Sequence, residues 1–239
     1  INDRSIFSIS KRNIMKRLTE GHLKINHLNK QKQHWENMFS SRPEMFGTAP
    51  SVAAIKSVET FKKEKLTNIL ELGGGQGRDS LFFAKNNFHV QVLDYSQSGV
   101  NSIIRQANIL DLAKHITVKI HDVRKPLPFK DESFNGCFSH MLYCMAFTTK
   151  ELVYLSSELH RVLKPGGINI YTVRHTGDAD YKTGVHRGEN LYETGGFIVH
   201  FFSIVKIKQL SFGFEIVSID NFEEGSFPRK LFRVTLRKK

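Results

Sequence analysis

The stretch Asn68-Ile69-Leu70-Glu71-Leu72-Gly73-Gly74-Gly75-Gln76-Gly77-Arg78-Asp79-Ser80 constrains this chain more than any other. A short apolar run ends in an acid, and a glycine cluster follows at once. The pattern Ser80-Leu81-Phe82-Phe83-Ala84-Lys85 then has helical spacing. That order predicts a strand, a tight turn and a helix. Glycine lacks a Cβ and accepts positive φ, so such a turn lets a ligand press against bare backbone. The free N–H groups that open the helix then face the ligand.

The spacing sets aside two common readings. A dinucleotide fingerprint starting at Gly73 needs glycine where Arg78 stands, and one starting at Gly75 needs it where Ser80 stands. A phosphate loop needs Gly-Lys-Ser/Thr, and this stretch has none. The pattern present is acid-x-Gly-x-Gly-x-Gly, from Glu71, Gly73, Gly75 and Gly77. It resembles the first motif of the class I methyltransferases that use S-adenosylmethionine (SAM). The continuation Gly77-Arg78-Asp79-Ser80 resembles, more narrowly, the tellurite-resistance and thiopurine type of small-molecule methyltransferase. The resemblance implies SAM as cofactor, with its amino-acid end at Glu71, Gly73, Gly74, Gly75 and Gly77. Without the resemblance, the same turn is one that packs a helix close to a sheet.

The next segments extend the pattern. His89–Leu93 reads as a second strand ending in Asp94, so strand, helix and strand make a parallel, right-handed crossover. An acid at that strand tip is placed to accept from two ribose hydroxyls of an adenosine ligand, and it also suits a turn or an N-cap. Asp94-Tyr95-Ser96 resembles the family's second motif, which implies Tyr95 against adenine. A third strand, 116–120, leads to His121-Asp122-Val123. By resemblance, Asp122 accepts from the adenine amino group and the Val123 N–H reaches a ring nitrogen. The fourth strand starts at Phe134-Asn135, where the family usually has Phe-Asp, a departure expected to touch strand packing. Ser139 and His140 then lie at its tip, beside the methionine part of SAM.

A helix over 150–163 should stop at Lys164-Pro165-Gly166-Gly167, before a fifth strand over 168–173. The segments 214–219 and 231–236 read as a final antiparallel pair. The implied fold is α/β: a Rossmann-like, doubly wound, mostly parallel seven-stranded sheet, with an antiparallel edge hairpin and helices on both faces. The chain divides into an N-terminal helical extension or lid, 1–49, and a methyltransferase domain, 50–239. Trp35 and Phe46 suit either core packing or a cover over the cofactor. The polar, glycine-rich stretch 174–196 enters from a strand tip and reads as a substrate lid.

The sulfonium of SAM is a strong electrophile, so the protein must mainly place a nucleophile and exclude water. A general base helps where the nucleophile is protonated. The catalytic candidates are His140, Tyr143 and His200, with His175 and His186 behind them. Arg174 and Arg187 are candidates for selecting an anionic substrate. The His and acid spacing matches no metal site.

The formal charge is +12, from 35 Lys and Arg against 23 Asp and Glu, with a basic first thirty residues. That keeps nucleic acid in play. Two signatures are missing, however. No Asn/Asp-Pro-Pro-aromatic follows the fourth strand, and neither Cys137 nor Cys144 sits in a Pro-Cys or Thr-Cys context. A small-molecule acceptor is therefore the leading expectation. An RNA or protein methyltransferase docking through the basic arm is the alternative, and a non-catalytic SAM-binding protein is the second. Two cysteines make no disulfide framework, which suits a reducing, cytoplasmic home. No apolar run approaches the roughly 20 residues of a membrane span. The oligomeric state has no signature in the sequence.

Overall fold

A computed structural model describes residues 28–225 and 229–239. Most of the expected basic arm, residues 1–27, therefore lies outside the described residues. Five parallel strands occupy the centre: β1 (Asn68–Leu72), β2 (His89–Asp94), β3 (Ile116–Ile120), β4 (Phe134–Ser139) and β5 (Leu163–Arg174). Two long antiparallel strands, β9 (Phe214–Glu224) and β10 (Arg229–Lys238), close one edge. The order is β3-β2-β1-β4-β5-β10-β9, seven strands in one sheet. The order reverses at β1 and β4, which opens a crevice at the carboxyl ends of the parallel strands.

Side chains alternate across each strand, so both faces must be covered. On one face, Leu70, Leu72 and Tyr171 pack with Leu152, Leu155 and Leu159 of α5 (Thr149–Val162), and with Ile207 of α6 (Ile204–Leu210). On the other, Ile69, Val90 and Phe138 meet helices α2 (Val52–Lys63), α3 (Arg78–Lys85) and α4 (Gln97–Ile109), through Phe61, Phe83 and Ile103. Helices α2, α4 and α5 start at a capping side chain, whereas α3 starts at Gly77 with none. Ser51 accepts from the Ala54 N–H, Ser96 from the Gly99 N–H, and Thr148 forms a reciprocal capping box with Glu151.

Two local expectations change, and a third gains its physical detail. Residues 164–167 do not separate helix from strand as a simple turn. β5 begins at Leu163, opposite Phe134, and the next register pair is Gly136 with Ile168, so the glycines bulge out of one continuous strand. Asn135, where an acid is usual, uses its side-chain carbonyl to accept the Asn68 N–H at 2.9 Å and so locks the start of β1. Finally, the expected lid is not plain loop. It carries β6 (Val185–Gly188) and β7 (Leu191–Thr194), which pair antiparallel with β8 (Phe197–His200) as a separate small sheet. An apolar inner face on β7 and β8 makes that sheet worth forming: Leu191 and Ile198 pack with Leu28 and Ala146.

Candidate active site

The glycine turn is built close to the backbone around it. The Gly73 N–H donates to Leu93 O at 2.8 Å, tying the turn to β2. A Cβ at Gly74 would collide with Val92 Cγ1, and one at Gly99 would lie 2.5 Å from the Gly75 carbonyl oxygen. The first turn of α4 thus presses directly on the glycine turn, a contact that tolerates no side chain. The turn's other residues hold neighbouring segments. Asp79 accepts from the N–H and hydroxyl of Ser51, at 2.7 and 2.8 Å. Gln76 accepts from the Met45 N–H at 2.8 Å and donates to Arg42 O at 2.9 Å.

The acids follow in chain order along the crevice. Glu71 is buried, and its Oε2 has no hydrogen-bond partner. Burial, with Asp79 and Asp94 nearby, raises its pKa to about 8. Asp94 accepts the Gly75 N–H at Oδ2 and the Ser96 N–H at Oδ1, both at 2.8 Å. Burial outweighs those bonds and lifts its pKa to about 6. Asp122 is held by the Arg124 guanidinium, with Nη2 2.7 Å from Oδ2. Burial alone would raise the Asp122 pKa, but the bonds from Arg124 win and it ends lowered.

Two adjoining cavities connect these groups. The larger, about 470 Å³, is lined by Glu71, Gly73, Gly74, Gly75 and Gly77, with Asp94 and Tyr95. The smaller, about 50 Å³, is lined by Asp122, Val123 and Arg124, again with Gly73, Asp94 and Tyr95. Asp94 and Tyr95 are shared walls, so Glu71, Asp94 and Asp122 border one crevice rather than separate holes. The roof comes from two distant segments. Helix α1, residues 28–41, brings Trp35 and Phe39, and β8 brings Phe197, 5.0 Å from the Trp35 ring. Glu36 pins α1 to the start of α4, accepting from Ser96 Oγ at 2.6 Å and the Ser98 N–H at 3.1 Å. Gln31 joins α1 to β8, accepting the Ile198 N–H and donating to Gly196 O.

The catalytic candidates separate sharply. His140 lines the large cavity, with Nδ1 3.0 Å from Thr172 Oγ1 and Nε2 3.1 Å from Glu224 Oε2. Tyr143 does not reach the cavity. It stacks on Tyr171 in the core, ring centroids 4.4 Å apart, because its residue follows the strand tip by one turn back into the sheet's covered face. His200 is also excluded by burial. Its Nδ1–H donates to Phe147 O at 2.8 Å, and burial drops its pKa to about 4. Ser139 is fully buried and lines neither cavity, so its expected place beside the cofactor is corrected too. His175 stacks on Phe232, and His186 meets Glu189 O. Arg174 does line the cavity, but Asp178 and Asp180 already hold its guanidinium. Arg187 is paired with Glu193 and lies outside the cavity lining.

Glu224, Thr172, Gln76, Glu36 and Arg229 were not visible as site residues in the sequence. Acids four and six residues after Arg174 were the one available sign that it would be neutralised.

Comparison with known proteins follows the same lines. A family profile described as a methyltransferase domain matches residues 69–167. Phosphoethanolamine N-methyltransferase 1 of Triticum aestivum is 33% identical over 129 residues, 53% of this chain. The match spans only 22% of that relative's length. A SAM-dependent methyltransferase from Methanosarcina mazei superposes with a TM-score of 0.63 at 21% identity, over 72% of this chain and 92% of that one. The 1,6-didemethyltoxoflavin-N1-methyltransferase of Burkholderia thailandensis was solved with 1,6-didemethyltoxoflavin and S-adenosylhomocysteine bound. It superposes with a TM-score of 0.69 at 13% identity, over 87% of each chain. At such identities the structural likeness is one of fold.

Proposed function

We propose that this chain is a class I SAM-dependent methyltransferase and that it transfers a methyl group to a small-molecule acceptor, a reading supported by the methyltransferase-domain match over residues 69–167. The observation that carries the proposal is the roofed crevice with Glu71, the glycine turn, Asp94, Tyr95 and Asp122 along its length.

The crevice fits the cofactor's chemistry. Glu71 offers a buried, unpartnered oxygen, which a cationic donor group would satisfy. Gly73, Gly74 and Gly75 would hold the amino-acid end, Asp94 the sugar hydroxyls, and Tyr95 with Asp122 and Val123 the adenine. SAM supplies, when bound, a methyl group made electrophilic by its sulfonium.

The chain's own residues must then orient the acceptor, keep water out and take up a proton. Trp35, Phe39, Phe46 and Phe197 give the larger cavity an apolar roof that limits its contact with water. Thr172 Oγ1 already accepts from the Met141 N–H at 2.9 Å, so its own hydrogen is free for His140 Nδ1. That leaves His140 Nε2 as the donor towards Glu224. Burial alone would raise the Glu224 pKa, but the bond from His140 and the charge of Arg78 lower it. Glu224 Oε2 lies 3.1 Å from His140 Nε2 at the cavity wall, and the pair is placed to take up the acceptor's proton.

The aromatic roof over the crevice favours a small acceptor over a macromolecule. The wheat relative's name gives phosphoethanolamine as an acceptor, which makes it a first compound to assay. The test is incubation of the protein with methyl-labelled SAM and cell extract, followed by size fractionation. Label in the low-mass fraction supports the proposal. Label confined to RNA or protein turns the reading towards a macromolecular acceptor.

A further inference from the structure

The cationic side chains of the large cavity can be matched with acids in turn, with one exception. Arg174 is held by Asp178 and Asp180, and its guanidinium lies over the Phe201 ring at 5.2 Å. Arg78 lies 3.7 Å from Asp79 and 3.6 Å from Glu224. His140 meets Glu224 at 3.1 Å. Arg229 also lines this cavity, and among the described residues no carboxylate pairs with it.

The reason lies in the hairpin. Arg229 opens β10, directly opposite Glu224 at the end of β9. Cross-strand neighbours of opposite charge usually pair. Here the Glu224 carboxylate turns instead to His140 and Arg78, so among the described residues the Arg229 guanidinium has no carboxylate partner. In the sequence, Ser226, Phe227 and Pro228, which precede Arg229, include no acid that could replace it. A guanidinium has five donors in a flat fork, the geometry that matches a carboxylate or phosphate bidentately.

We infer that Arg229 is the acceptor-selecting residue of this site and that it binds an anionic group, carboxylate or phosphate, on the molecule to be methylated. This rests on the methyltransferase reading above and narrows its acceptor class. Arg229 takes the part that the sequence suggested for Arg174 and Arg187, whose charges are spent on neighbouring acids.

The experiment uses three ring probes sized for the aromatic roof: phenyl phosphate, benzoate and neutral phenol. Each is titrated by ligand-observed nuclear magnetic resonance into wild type, R229Q and R229K, with and without S-adenosylhomocysteine. Wild type should bind at least one anionic probe roughly tenfold more tightly than phenol, the gain expected of a charge-assisted bond. R229Q should lose that preference while phenol binding stays put, and R229K should keep part of it. The phosphate and carboxylate arms then say which anion is read. Equal affinity for all three probes in wild type, or an unchanged preference in R229Q, overturns the inference. S-adenosylhomocysteine binding should be equal in all three proteins. Its absence in wild type would defeat the methyltransferase reading, while the probe preferences would still report on Arg229.

Discussion

The backbone N–H of Gly75 donates to Oδ2 of Asp94 at 2.8 Å. This one bond joins the glycine turn after β1 to the tip of β2. The acid expected to hold a ligand therefore also shapes the turn that cradles it. Asp94→Ala removes both effects. S-adenosylhomocysteine affinity measured by calorimetry should fall at least about tenfold, the cost of losing charge-assisted bonds. An unchanged affinity would mean that the ligand lies elsewhere.

Glu71 gives a pH signature. Its pKa is raised from 4.5 to about 8 in the folded chain, with burial the main cause. A group that holds its proton more tightly when folded stabilises the fold below its unfolded pKa, and that stability is lost as pH rises through the folded value. The melting temperature of wild type should therefore drop, relative to Glu71→Gln, between about pH 5 and pH 8. Parallel melting curves for the two proteins across that range would refute the assignment.

Gly99 tests the close contact between α4 and the glycine turn. Its added Cβ would stand 2.5 Å from the Gly75 carbonyl oxygen, a backbone atom that cannot swing aside. Gly99→Ala should cost about 1–3 kcal/mol of stability, the usual penalty for overpacking. It should also weaken S-adenosylhomocysteine binding, because the turn must shift. Chemical denaturation and calorimetry measure the two effects, and a neutral substitution would contradict the packing.

The roof can be watched directly, since Trp35 is the only tryptophan in the chain and lines the large cavity. Adding S-adenosylhomocysteine should change its fluorescence. In Glu36→Ala, which cuts the tie to Ser96 and Ser98, the change should shrink and the affinity should fall roughly tenfold. Binding seen by calorimetry with silent Trp35 emission would place the roof away from the ligand.

Catalysis should separate the former candidates. Once an acceptor is in hand, His140→Gln and Glu224→Gln should each lower kcat roughly hundredfold, the scale of positioned proton transfer, with S-adenosylhomocysteine affinity little changed. Tyr143→Phe should leave kcat alone. His200→Ala should instead lower stability by about 2 kcal/mol, since it strips the Phe147 carbonyl of its donor. A kcat collapse in Tyr143→Phe with Glu224→Gln fully active would reverse these roles.

Much of this molecule was readable along the chain because the signals are local. Strand tips and the glycine turn depend on residues a few positions apart. Periodicity and backbone sterics act at that range, so the parallel sheet and the order of Glu71, Asp94 and Asp122 followed from spacing and family likeness. Which partner each side chain takes was decided by the fold. Arg174 read as an anion selector, but Asp178 and Asp180 hold it; Tyr143 read as a catalytic candidate, but it stacks on Tyr171; Arg229 drew no notice, and Glu224 turns to His140 and Arg78. Which buried group is satisfied depends on neighbours brought together by the fold, some of them distant in sequence, as when Glu36 reaches Ser96. Only the closed packing of α1, the small sheet and the β9–β10 hairpin over the crevice settles those partners, because desolvation and hydrogen bonding are properties of the assembled surroundings.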